Sequence, residues 1–251
     1  MSESVQALLD KYYALFARPN FIALDPVQIP ARFSKKEDIE IAGFLAATIA
    51  WGQRKSIINN ASRLMELMEN APFDFILNHE PSDRLRFKGF VHRTFSDIDA
   101  IYFMESLQNI YKNHGGLEAA FNRASQSVKH RLMGFHELFF SLEHLNRTRK
   151  HVSNPLNESS AKRLNMYLRW MVRHSNEGVD FGIWNSIRSC ELMMPLDIHT
   201  GTVSRKIGLL KRKQDDWKAV EELTAALRSF DPEDPVKYDF ALFGMGVTKT
   251  I

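Results

Sequence analysis

The sequence predicts an all-α protein. Apolar residues recur at three- and four-residue spacing along most of the chain. No stretch alternates apolar and polar residues for more than a few positions, so no substantial sheet is expected. Ser, Asp, Pro and Gly stand where helices of ordinary length would start and stop.

The N-terminal stretch "MSESVQALLDKYYALF" carries acids early and has no long apolar core. It is expected to be neither a signal peptide nor a membrane anchor, which points to a cytoplasmic protein with no membrane partner. Residues 21–33, "FIALDPVQIPARF", hold two prolines and read as irregular. "KKEDIEIAGFLAATIAWG" places Ile41, Leu45, Ala46 and Ile49 on one helical face. "AWGQRK" (50–55) ends that helix and starts the next. "FSDIDAIYFMESLQNIYKNHGG" offers Ser96 or Asp97 as an N-cap and Gly115 as a stop. Residues 149–163, "RKHVSNPLNESSAKR", read as a connection between two helical lobes or as a hairpin inside one. "SSAKRLNMYLRWMVRH" is expected to start at a Ser cap, with Leu164, Leu168, Met171 and Val172 on one face. "DPVKYDFALFGMGV" repeats that spacing with Val236, Phe240, Phe243 and Val247, and Pro235 stands near its start. About a dozen helices result. The lobes are placed at roughly 40–145 and at 150–251 plus the N-terminus. The 18 Phe and four Trp are expected mainly in the core.

At 44% hydrophobic and 25% charged the composition is that of a globular protein. The net charge of +3 permits nucleic-acid binding but does not demand it, so any footprint must be a local patch. Basic residues gather at 147–150, at Arg163, Arg169 and Arg173, and at 204–206 and 211–213. Solvated helix faces are the default account of such runs. A single cysteine, Cys190, excludes a disulfide framework and a Cys-rich zinc or iron–sulfur site. No phosphate-binding GxxxxGK[ST], dinucleotide GxGxxG or GxSxG elbow is present, and no cofactor is expected.

Asp197, in "MMPLDIHTGTVSRKIGLL", stops an apolar run just before a basic segment. As an N-cap its carboxylate would accept backbone N–H bonds of the next turn. The same rigid carboxylate could stabilise an oxocarbenium-like state as a glycosidic bond breaks. Lys162 opens its helix on the face of Asn165 and Arg169. A solvated lysine is the ordinary account; beside cations and a helix N-terminus it could instead serve as an amine nucleophile. Trp51 and Gln53 stand at the 50–55 junction, where a glutamine can read or replace a base, and an ordinary turn closed by Gly52 is the plainer account. His199 follows Asp197 by two residues, but no third ligand completes a metal site.

"MPLDIHTGTVSRKIGLL" resembles the segment holding the essential aspartate of the helix–hairpin–helix DNA glycosylase superfamily, with Asp197, His199, Thr200 and Arg205 in matching order. "FLAATIAWGQRKSIINNASRLM" resembles the helix junction of the endonuclease III branch, with Gln53 at the duplex-probing glutamine. "KYDFALFGMGV" resembles the C-terminal helix. The Gly-rich hairpin "LPGVGxKTA" is absent; "NPLNESSAKRLNMYLRW" stands nearest. Lys162 and Asp197 are 35 positions apart (197 − 162), against about twenty in hairpin members. The archaeal 8-oxoguanine glycosylase branch has both a degenerate hairpin and a longer lysine-to-aspartate gap, Lys162 in "AKRLNMYLRWMV" looks similar to its lysine segment, and its last helix helps line the base pocket.

The resemblance implies a two-lobed glycosylase fold with a central cleft and a degenerate helix–hairpin–helix. It implies a DNA repair glycosylase, with or without AP-lyase activity, that flips a damaged base, an oxidised purine first among candidates. Lys162 and Asp197 would be catalytic. Trp51, Gln53, Arg54, His199, Thr200, Arg205, Asp239 and Phe243 would contact DNA or the base. Damaged duplex DNA is the partner, a monomer is expected, and no metal or iron–sulfur cluster takes part. The alternative is a nucleic-acid-binding protein of the same fold without catalysis. A protein-binding helical scaffold is a third reading; it predicts no salt-dependent DNA affinity.

Overall fold

The computed structural model describes residues 4–123 and 127–248. It is mostly helical; the one sheet among the described residues pairs Val91–His92 (β1) with Phe95–Ser96 (β2), antiparallel. No helix there is long and apolar enough to cross a membrane. The chain divides into two compact units, Leu24–Ser153 and Met1–Ala23 with Asn154–Ile251.

The split unit opens with α1 (Val5–Phe16), capped by the Ser4 hydroxyl. The continuous unit follows: α2 (Lys36–Thr48), α3 (Arg54–Leu67), α4 (Pro72–Asn78), α5 (Asp97–Asn113), α6 (Gly116–Phe121) and α7 (Val128–Phe139). The chain then returns to the split unit as α8 (Lys162–Val172), α9 (Ile198–Lys206), α10 (Trp217–Arg228) and α11 (Asp239–Thr248).

In the continuous unit, α2 is buried on every side from Ile39 to Thr48, beyond the single face the sequence predicts. Phe44 meets Phe103 of α5 and Phe135 and Phe139 of α7 at 5.4–5.9 Å between ring centres. These edge and stacked contacts add to the burial of large rings. The unit begins at Leu24, earlier than the expected 40, because single turns at Pro26–Gln28 and Pro30–Arg32 pack against α2. Ser96 and Asp99 form a reciprocal capping box at the start of α5. Its end falls at Asn113, and Gly115, left-handed at φ +74°, instead precedes α6.

In the split unit, α8 is buried from Leu164 to Val172. It does not start at a Ser cap as the sequence suggests. Ala161 holds the cap position at φ +47°, and the Ser159 hydroxyl accepts a bond from Ala161 N–H inside the preceding turn. α11 packs on α1 and α9. Gly244 lies against the Phe16 ring and Gly246 against His199 Cβ, so both helices approach where α11 has no side chain.

Candidate functional site

Three helices of the split unit begin at one place. Lys162 is the first residue of α8, Asp197 caps α9, and Asp239 opens α11. Lys162 Nζ lies 3.5 Å from Asp197 Oδ2, and both side chains are about a quarter exposed (28% and 24%). Asp197 Oδ1 accepts the Thr200 N–H at 3.0 Å, so the cap and the lysine partner are the same carboxylate. One oxygen fixes the side chain and the other faces the amine.

The approach to Lys162 is a tight turn. Glu158 and Ala161 both take left-handed backbone, at φ +59° and +47°. The Glu158 carbonyl accepts Trp217 N–H at 3.0 Å, which ties the turn to the start of α10. Asn165, one turn into α8 and 1% exposed, donates its amide to the Ser160 carbonyl at 3.0 Å. The Ser160 hydroxyl reaches the Leu196 carbonyl at 3.4 Å, next to Asp197.

The polar stripe of α8 does not face solvent. Arg169 and Arg173 are 3% and 2% exposed, so they depart from the default account of charged runs. Arg169 bonds Asp180 through Nε at 3.1 Å and Asp239 through Nη1. Arg173 bonds Asp180 at 3.0 Å, Asp234 at 2.9 Å and the Tyr13 hydroxyl at 2.6 Å. Arg169 also lies over the Phe240 ring, 4.3 Å from its centre. Buried guanidinium groups persist only with such partners, and removing one partner of a buried pair costs about 3–5 kcal/mol.

Burial pushes the Asp239 carboxyl up to about 6. The Arg169 charge opposes this, nearby Asp197 adds to it, and Lys162 opposes it more weakly. Asp239 is thus tied to Arg169 by contact and to the Lys162–Asp197 pair by field. Burial likewise raises Asp234 against the pull of Arg173.

The remaining expected residues of this unit fall in three settings. His199 is exposed on α9. Thr200 is 1% exposed, its N–H bound to Asp197 and its carbonyl accepting the Ser204 hydroxyl, so it braces α9. Arg205 is clamped to Asp215 at 2.6 Å and to the Arg212 carbonyl at 2.7 Å. Phe243 meets Phe21 edge to face at 6.0 Å. Asp180, which holds two arginines, was not expected. It lies in the aperiodic stretch "NEGVDFGIWN", where its only signal is a lone acid between Val179 and Phe181.

The family model described as "Protein of unknown function (DUF2400)" matches residues 25–248. The chain belongs to this family. No curated protein and no solved structure matches it.

The other expected contacts lie in the continuous unit, at the turn between α2 and α3. Gly52 takes φ +103°, a conformation suited to glycine, and Gln53 stands exposed at the cap of α3. Arg54 is exposed at its first position. Trp51 is half-buried, stacked on His151 at 5.8 Å and edge-on to His92 at 5.1 Å. His92 spans the turn: Nε2 meets the Trp51 carbonyl at 3.1 Å and Nδ1 the Asn60 amide at 3.0 Å. Burial lowers its pKa, which suits a neutral ring that donates from Nε2 and accepts at Nδ1.

Proposed function

We propose that the protein is a DNA repair glycosylase with an accompanying AP-lyase step, built on a helix–hairpin–helix glycosylase fold. The observation that carries this is the 3.5 Å approach of Lys162 Nζ to Asp197 Oδ2 across a separation of 35 positions (197 − 162). An amine and a carboxylate fixed at two helix starts suit attack on a sugar carbon. The turn before Lys162 supports the same reading. It has left-handed backbone at Glu158 and Ala161, the conformation a Gly-rich hairpin would supply.

In the proposed reaction a damaged base of duplex DNA is flipped out. Asp197 accepts a proton from the Lys162 ammonium. The free amine attacks C1′ as the bond from C1′ to the base breaks, and the base leaves with the bonding pair and takes up a proton. Asp197 hands the proton it accepted to the departing base and, ionised again, stabilises the positive charge that develops on the sugar. Ring opening gives a Schiff base between Lys162 and C1′, from which β-elimination expels the 3′ phosphate. Gln53 and Trp51 are assigned to the duplex. Asp239 and Phe243 are assigned to the base, with an oxidised purine as first substrate.

The test is borohydride trapping on duplexes carrying 8-oxoguanine, uracil or an abasic site. Wild type is expected to form a covalent adduct on the abasic duplex and on one lesion. Lys162→Gln should form none, and Asp197→Asn should lose base release by at least a hundredfold, about 2.7 kcal/mol of barrier. If wild type forms no adduct and releases no base while still binding duplex, the protein is a nucleic-acid-binding member of the fold without catalysis.

A further inference from the structure

Three segments of the continuous unit come together and share a composition. Residues 50–65, 88–96 and 145–152 contain no Asp or Glu, yet carry Arg54, Lys55, Arg63, Lys88, Arg93, Arg147, Arg149 and Lys150. The β-hairpin joins them. On one side His92 bonds Trp51 and Asn60, and the Arg93 side chain lies 3.0 Å from where a Cβ of Gly52 would stand. On the other side Arg147 donates to the Thr94 carbonyl and the Ser96 hydroxyl, each at 2.9 Å.

Beneath the hairpin lies Asp99, fully buried. It accepts the Ser96 N–H at 2.8 Å and the Thr148 hydroxyl at 2.7 Å, and pairs with Arg147 at 3.0 Å. Burial pushes its carboxyl up, but bonds from His151, Ser96 and Thr148 outweigh that and hold it well below the usual range. One ionised carboxylate therefore fixes the cap of α5, the hairpin and the 146–151 turn in a common frame.

On this frame Lys55, Lys88 and Arg93 are exposed, and among the described residues they form no ion pair. Val91, 56% exposed, adds an apolar side chain on the same hairpin. Asp97, at the margin, accepts the Gly89 N–H at 2.9 Å. Cations left unpaired on a braced surface fit a polyanion with regularly spaced charges. The exposed amide of Gln53 and the half-buried ring of Trp51 beside them fit bases.

We infer that the α3–hairpin face, with Lys55, Lys88 and Arg93 as its unpaired cations, is a phosphate-backbone contact for duplex nucleic acid. The inference rests on the proposed function for the class of partner, but not on the reaction at Lys162. Each phosphate neutralised contributes about 0.9 to the slope of log K against log salt.

The experiment measures duplex affinity from 50 to 300 mM salt for wild type, for Lys162→Gln and for Lys55→Gln/Lys88→Gln/Arg93→Gln. The triple variant should keep its circular dichroism and melting temperature, since exposed substitutions usually stay within about 0.5 kcal/mol. Its slope should be shallower by about 2–3 and its affinity at low salt at least tenfold weaker. An unchanged slope in the triple variant overturns the inference, whatever Lys162→Gln does to adduct formation. So does a wild type that ignores duplex but sediments with phosphatidylserine vesicles. A shallower slope in the triple variant together with neither adduct nor base release in wild type leaves this face standing and removes the glycosylase.

Discussion

Asp197 makes two contacts with one side chain. As a sequence position it reads first as a helix cap, with a catalytic carboxylate as the alternative; one oxygen accepts Thr200 N–H and the other faces Lys162. Asp239 shows what spacing could not convey. The predicted helix starts near Pro235, whereas Asp239 opens α11, and its bond to Arg169 depends on a residue 70 positions away. Its raised pKa has a stability consequence. A folded value of about 6 against about 3.9 for an unfolded Asp means that the folded chain holds this proton more tightly. The resulting stabilisation is full below about pH 4 and is lost as pH rises through 6, amounting to roughly 3 kcal/mol. Asp239→Asn removes the titration, while Arg169 keeps Asp180. Urea unfolding between pH 4.5 and 7 should therefore show wild type losing stability relative to the variant as pH rises. Parallel curves would mean that Asp239 is already ionised at pH 4.5.

Among the elements, the helices with a wide apolar face were legible, and the turns between them were not. The face of Leu164, Leu168, Met171 and Val172 predicts α8, and all four are buried. Its polar stripe gave the opposite impression from the truth, because Asn165 bonds the turn just before the helix and Arg169 bonds Asp180 in the loop after it and Asp239 of α11. Its start was misplaced because a Ser beside a helix resembles a cap, whereas Ser159 serves the turn. That turn stores strain. A left-handed alanine costs roughly 1–2 kcal/mol relative to right-handed backbone, and glycine escapes the cost while losing more chain entropy on folding. Ala161→Gly is expected to raise unfolding stability by up to about 1 kcal/mol, read as a higher urea midpoint with an unchanged slope. A lower midpoint would show that the buried Ala161 methyl contributes more by packing than the backbone loses.

Across the whole molecule, the division into units was only partly visible in the sequence. The Pro- and Asn-bearing stretch 149–163 marks where the chain passes from the continuous unit to the split one. The grouping of the N-terminus with residues 150–251, which the sequence reading expects, rests physically on contacts between the two ends of the chain. Tyr13 donates no length of core but receives the Arg173 guanidinium, Asp10 accepts the Tyr238 hydroxyl at 3.0 Å, and Phe16 covers Gly244. The last contact is the most sensitive to test. A Cβ on Gly244 would overlap the Phe16 ring, so either the ring rotates away or α1 lifts from α11. Overpacking of this kind costs about 1–3 kcal/mol. Gly244→Ala should lower the urea midpoint accordingly and make Lys11, on α1, an early site of tryptic cleavage. Adding Phe16→Ala should relieve the clash and recover part of the loss, at the expense of the apolar area that the ring covers. The two substitutions are then non-additive, as expected for side chains in contact. If Gly244→Ala matched wild type in both midpoint and cleavage pattern, the two helices would not approach as closely as the glycine implies. The coupling of the chain ends would then rest on Tyr13 and Asp10 instead.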